Sequence, residues 1–237
     1  MSGPKQRAVA LLLATLAFGA APLLTPPFTG YDPAQFPVVI ARPSIQPAGY
    51  AFSIWSVIYL WLIAHAVIGL WKHAESPVWD RPRLPLTIAI ALGAAWLSLA
   101  NAAPITATVA IWIMAATALA AFLRATTDTD RWLVSAPAAI FAGWLSAAAA
   151  VSTGVVIAGY GLLADTASAL AMLALVLALA ITVQTRKPAM PLYGLTVIWA
   201  LFGVVAVNWT PNPTVAYAAL AGMAAMAATL AITRRTA

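Results

Sequence analysis

The chain has 237 residues, of which 63% are hydrophobic and only 8% charged, against the roughly 25% charged that a soluble domain uses to face water. It cannot cover a globule with polar groups, so lipid is its solvent, and the net charge of +6 orients helices rather than binding nucleic acid. Cysteine is absent and histidine is limited to His65 and His73, so there is no disulfide framework, no thiol nucleophile and too few ligands for a conventional metal site.

A crossing helix needs about 20 apolar residues. Residues 8–27 follow Lys5 and Arg7 and give a first span. The same stretch also has the features of a signal peptide, with small residues around Ala20 and Ala21; a retained span is the expectation. An outer segment, 28–48, holds Asp32, Arg42 and several prolines, and reads as an ordered, non-helical lid. Residues 49–71 form the second span, ending at Trp71-Lys72. The uncharged stretch 84–123 is long enough for two crossings, with the hairpin at Asn101-Ala-Ala-Pro104, because proline suits a helix start and not its interior. Between Arg131 and Arg186 Asp165 is the lone charge, and two crossings turn at Gly159-Tyr-Gly161. Residues 190–233 break at Asn208-Trp-Thr-Pro-Asn-Pro213; this loop explains the Asn-Trp-Thr triplet better than glycosylation does. The prediction is an all-α, polytopic integral membrane bundle of about eight transmembrane helices. Eleven of the twelve Lys and Arg residues then fall at one end, so the N and C termini are cytoplasmic and the protein belongs in a bacterial inner membrane. Arg42 stands alone on the opposite side.

Candidate functional residues are few. At about 100° per residue, Phe52, Trp55, Tyr59, Leu62 and Ala66 share one helical face, as do Trp144, Ala148 and Ser152. Small residues opposite aromatics can leave a flat space lined by rings, which suits a planar conjugated molecule. The same pattern also serves plain helix packing. Among the tryptophans, Trp71, Trp79, Trp132 and Trp209 lie at span ends and read as interfacial belt residues. Trp55, Trp96, Trp144 and Trp199 lie nearer span centres and are better placed for a ligand; Trp61 and Trp112 fit either role. His65 can ligate a tetrapyrrole metal or bond to a neighbouring helix, and the second is favoured. Asp165 sits where it can cap a helix from its N-terminal end. Arg42 has two candidate partners, Asp32 and a ligand carboxylate, besides lipid headgroups. There is no catalytic constellation, and an enzyme is not expected.

The string from Arg42-Pro43 through Pro47, Phe52, Trp55 and Tyr59 resembles the signature of the TspO/MBR family, the tryptophan-rich sensory or translocator proteins. Ile45 replaces that family's loop tryptophan, and Ala48 its second proline. Leu99-Ala-Asn101 is similar to part of a later motif in which Pro104 stands where a tryptophan would be. Trp144 and Ala148 match a third motif, with Ser152 in place of asparagine. The resemblance covers residues 1–158, a five-helix bundle with outer loop 28–48, and leaves 159–237 as three additional helices. It implies a ligand site built from Arg42, Pro47, Phe52, Trp55, Tyr59, Asn101, Trp144, Ala148 and Ser152. The implied ligand is a hydrophobic planar molecule, a tetrapyrrole (haem, porphyrin or chlorin) or a carotenoid, bound for sensing, sequestration or delivery. The alternatives are an assembly subunit of a larger membrane complex, for which the alanine-rich last helices would suit lateral packing, and a secondary transporter, for which the polar-poor core is a poor match. Besides the lipid bilayer and a hydrophobic small molecule, the expected partners are a second copy or a larger membrane complex.

Overall fold

The computed structural model describes residues 3–26 and 28–235, the last of these by backbone alone. Its helices are α1 (Pro4–Leu24), α2 (Ile54–Trp71), the short α3 (Pro77–Asp80), α4 (Arg83–Ala102), α5 (Pro104–Arg124), α6 (Arg131–Gly159), α7 (Asp165–Arg186), α8 (Leu192–Asn208) and α9 (Pro213–Arg235). Two 3₁₀ turns, Pro33–Gln35 and Gly49–Ser53, lie in the connection between α1 and α2. Among the described residues there is no strand. Seven helices are long and apolar enough to cross a bilayer, α2 counted with the 3₁₀ turn before it. The eighth, α8, has 17 residues, at the short end of what spans.

The predicted breaks fall where the structure turns. Pro104 opens α5 and Pro213 opens α9, each at a first helical position where the missing N–H costs nothing. Gly161 follows α6 with φ +70°, a left-handed turn that a side chain would strain. Hydroxyls within the spans bond back to their own helices: Thr15 to the Leu11 carbonyl, Thr87 to Arg83, Thr153 to Ala149 and Thr196 to Leu192. Lipid offers no partner, so these hydroxyls find one internally.

Helix α6 is the centre of the bundle. It has 29 residues and packs against α2, α5, α7 and α8. Its run of alanine, glycine and serine is almost wholly buried, which lets neighbouring backbones come close. Pro137 lies inside it and cannot donate to the Leu133 carbonyl one turn earlier. His65 of α2 fills that vacancy, its Nδ1–H donating to Leu133 O at 2.6 Å. The histidine therefore bonds to a neighbouring helix, and its ring stacks on Trp79 at 5.2 Å.

The end of the bundle that carries the basic residues is locked by a polar cluster. Arg83 is buried and donates to the carbonyls of Pro4, Gly69, His73 and Ala74 at 3.1, 3.0, 2.7 and 2.6 Å. It thereby ties the start of α1 and the end of α2 to the start of α4. Asp80 pairs with Arg7, and the hydrogen bond from that guanidinium holds its carboxyl below the usual carboxylate range against the opposing effect of burial. Lys187 Nζ donates to the carbonyls of Phe122 and Ala125 at the end of α5, where a cation also suits the helix dipole. Trp79 corrects an expectation. It is buried rather than interfacial, stacked between His65 and His73, with its indole N–H donated to Asp130 at 3.1 Å.

Candidate ligand-binding cavities

The outer segment is folded into the bundle. Val38 N donates to Gly159 O at 2.9 Å and Ala48 N to Gly203 O at 3.0 Å, pinning the segment to α6 and α8. Both glycines are needed for contact: a Cβ on Gly159 would lie 2.5 Å from Phe36, and one on Gly203 would lie 2.8 Å from Pro47. Ser44 is the hub of the attachment. Its N–H reaches both oxygens of Asp165 at 3.0 and 3.2 Å, and its hydroxyl donates to the same carboxylate. Its carbonyl accepts from Asn208 Nδ2 at 2.8 Å and its Oγ from Asn212 Nδ2 at 3.0 Å. Asp165 is the first residue of α7, so its carboxylate sits at the N-terminal end as expected but spends its bonds on the outer segment.

Beneath this lid lie two adjoining cavities. The larger, about 220 Å³, is enclosed by Phe18 and Pro22 of α1, Phe28 of the outer segment, Phe52, Trp55 and Tyr59 at the start of α2, Gly93, Trp96 and Leu97 of α4, Ile111 and Met114 of α5, and Trp144, Leu145 and Ala148 of α6. The smaller, about 70 Å³, lies under Tyr31, Ile45 and Pro47 and is closed on its far side by Leu173 and Val176 of α7 and Val197, Leu201 and Val204 of α8. Phe28, Phe52, Trp96, Ile111, Trp144 and Ala148 border both. Phe52 and Trp144 meet edge to face at 5.7 Å and form the partition. Together the two volumes reach only the lower limit of ligand pockets, roughly 300 Å³.

The predicted site residues separate into two groups. Trp55 and Tyr59 line the larger cavity, Pro47 and Ser152 the smaller, and Phe52, Trp144 and Ala148 both. Trp55 and Tyr59 stack at 5.5 Å and 23°. Asn101 and Arg42 lie outside. Asn101 is exposed at the end of α4, its carbonyl accepting from Gln35 and its Nδ2 reaching Pro26 O at 3.4 Å. Arg42 is exposed, and among the described residues it makes no ion pair. No bridge to Asp32, one of its candidate partners, is formed among the described residues; the Asp32 carboxylate accepts from the N–H of Ala34, capping the 3₁₀ turn at 2.9 Å.

The tryptophans sort by what their N–H groups meet. Trp71, Trp132 and Trp209 are 77%, 56% and 59% exposed on the bundle surface. Trp61, Trp79, Trp96, Trp112 and Trp199 each donate to a protein oxygen; Trp199, expected near a ligand, instead ties α8 to Ala51 O. The remaining two, Trp55 and Trp144, have no hydrogen-bond partner among the described residues, although Trp144 is only 3% exposed. Both face the cavities. Buried indole N–H groups ordinarily find an acceptor.

The sequence reading missed Phe28, Tyr31 and the wall supplied by α7 and α8. Tyr31 OH lies 2.6 Å from Ser152 Oγ, which lies 2.6 Å from Thr108 Oγ1. Burial holds the Tyr31 phenol above its usual range, partly offset by these two hydroxyls. The lid is what carries Tyr31 to Ser152, so no periodicity within either segment signals the contact.

Comparison with known proteins gives one match. The family model described as TSPO-like protein matches residues 34–232, a span that holds the lid from Ala34 onward, every residue of the two cavities from Ile45 onward, α7, α8 and most of α9. No curated protein and no solved structure matches the chain. A match over most of the chain, on a bundle of apolar helices with the seven spans described, identifies this multi-pass membrane protein as a member of the TSPO-like family.

Proposed function

We propose that the protein binds a hydrophobic, flat or extended conjugated molecule, of the tetrapyrrole or carotenoid kind, in the two cavities beneath the outer segment, for sensing, sequestration or delivery. The observation that carries this reading is the pair Trp55 and Trp144. Of the tryptophans away from the bundle surface, they are the two without a protein acceptor among the described residues, and both face the larger cavity. Their N–H groups open on that space, where an acceptor atom or the π face of a bound conjugated ligand can meet them. Phe18, Phe28, Phe52, Tyr59 and Trp96 add ring faces and edges for a conjugated body. In this reading residues 1–158 form the ligand-binding unit and 159–237 an addition whose helices close the smaller cavity. The basic end faces the cytoplasm of a bacterial inner membrane, and the lid faces outward.

The test is a titration of protoporphyrin IX into the purified protein, followed by quenching of tryptophan fluorescence. Trp144→Phe keeps a ring and removes the N–H. It is expected to weaken binding by about 1 kcal/mol, roughly fivefold, with helicity and melting unchanged. Saturable quenching that is equal in wild type and in Trp144→Phe would place the ligand elsewhere.

A further inference from the structure

The smaller cavity has a directional chain of hydroxyls in its wall. Tyr31 from the lid and Ser152 from α6 both line it, and Thr108 of α5 stands behind Ser152. Thr108 Oγ1 is 2.8 Å from the Pro104 carbonyl of its own helix. A carbonyl can only accept, so the Thr108 hydrogen goes there. For the 2.6 Å contact between Thr108 and Ser152 to be a hydrogen bond, Ser152 must then donate to Thr108. For the 2.6 Å contact between Ser152 and Tyr31, Tyr31 must donate to Ser152. One direction satisfies all three contacts, Tyr31 to Ser152 to Thr108 to Pro104. Every hydrogen in the chain is used. Tyr31, at its head, keeps its lone pairs and has no donor facing it among the described residues; the remaining contact of its oxygen is with Thr108 at 3.4 Å.

We propose that Tyr31 is the specificity-determining acceptor of the site, and that the ligand is an elongated apolar molecule with a hydrogen-bond-donating hydroxyl at one end. The hydroxyl sits on Tyr31 at the outer mouth, where an amphiphile's polar end belongs. The hydrocarbon body runs along the apolar wall past Phe52 and Trp144 into the larger cavity. An isoprenoid or polyene alcohol has this chemistry. An aldehyde or ether of the same skeleton does not, because it would place an acceptor against an acceptor. The inference rests on the reading of the cavities as a ligand site and adds the polarity of the end group.

The test uses all-trans-retinol and all-trans-retinal, which share a skeleton and differ at the end group, with tryptophan quenching as the readout on the intact protein. Wild type is expected to bind the alcohol about five- to tenfold more tightly than the aldehyde. Tyr31→Phe, which keeps the ring against Phe28 and Phe36, is expected to bring the two to within about twofold. The double variant Thr108→Val/Ser152→Ala removes both acceptors of the Tyr31 hydrogen. That frees the phenol to donate, and the preference is expected to shift toward the aldehyde. A generally loosened site would weaken both probes alike and could not reverse their order. Equal binding of alcohol and aldehyde by wild type overturns this proposal and leaves the ligand site standing. Failure of retinol, retinal and protoporphyrin IX alike to quench overturns the site reading and the end-group proposal with it.

Discussion

The attachment of the lid turns on one small side chain. Ser44→Ala removes a hydroxyl that donates to the Asp165 carboxylate and accepts from Asn212, leaving the backbone contacts of Ser44 to Asp165 and Asn208 in place. A hydrogen bond to a charged group contributes about 1.5–3 kcal/mol and a neutral one about 0.5–1.5. Asn212 keeps its bond to Thr166, and water can reach the outer end of the bundle, so the lower part of the range applies. The expected loss is about 2–3 kcal/mol, confined to the lid. Local opening of this kind is read by amide hydrogen exchange. The amides of Val38 and Ala48, which bond to Gly159 and Gly203, are expected to lose about 30- to 150-fold in protection. Amides within α4 and α5 are expected to stay as they were. Unchanged protection at Val38 and Ala48, or a loss spread equally over the whole bundle, would refute the role of Ser44 as the hub.

Other outcomes follow from the same structure. Arg83→Met strips the donors from four carbonyls at the basic end and is expected to cost about 3–5 kcal/mol, as loss of a buried charged partner does, seen as a lower midpoint in detergent melting. Asp80 has a folded pKa below its ordinary value, so its contribution is complete above the ordinary carboxylate range and falls away as pH drops through the lowered value; Asp80→Asn is expected to flatten that part of the stability profile, and a profile as steep as wild type would contradict it. Arg42→Gln is expected to leave ligand affinity within about twofold of wild type, because the guanidinium lies outside both cavities. Reporter fusions after Arg131 and after Lys187 are expected to read cytoplasmic, and one within Asn208–Pro213 to read outside; an inverted reading at any of the three would break the assigned orientation.

The span boundaries were legible because lipid enforces them. Pro104 and Pro213 stand at first helical positions beside other turn-forming residues, and unpaired charge is kept out of the hydrocarbon, so clustered breakers and basic residues mark the turns. The aromatic face of α2 and the small-residue face of α6 were legible for the same reason, since both repeat at helical spacing. What the pattern could not convey is what the ends of the bundle do. Arg83 and Lys187 read as orientation signals, yet both are clamps whose carbonyl partners come from other segments. Trp79 occupies a span end and would face headgroups if its short helix α3 did not turn its ring inward between two histidines. Ser44 and Tyr31 act only once the lid has docked, through partners more than a hundred residues away in sequence, and no local period encodes such contacts. Arg42 could pair with Asp32, with a ligand or with headgroups on sequence grounds alone, and the structure leaves it exposed while the Asp32 carboxylate caps the 3₁₀ turn.

The central claim is that the space around Trp55 and Trp144 holds a conjugated apolar ligand. The most direct measurement is the absorption spectrum of the protein purified from its native membrane in mild detergent, beside Trp55→Phe/Trp144→Phe prepared in the same way. A visible or near-ultraviolet ligand band is expected in near-stoichiometric ratio to the protein, much weaker in the double variant. A wild-type spectrum showing protein absorbance alone, with no band and no quenching on addition of protoporphyrin IX or retinol, would contradict it.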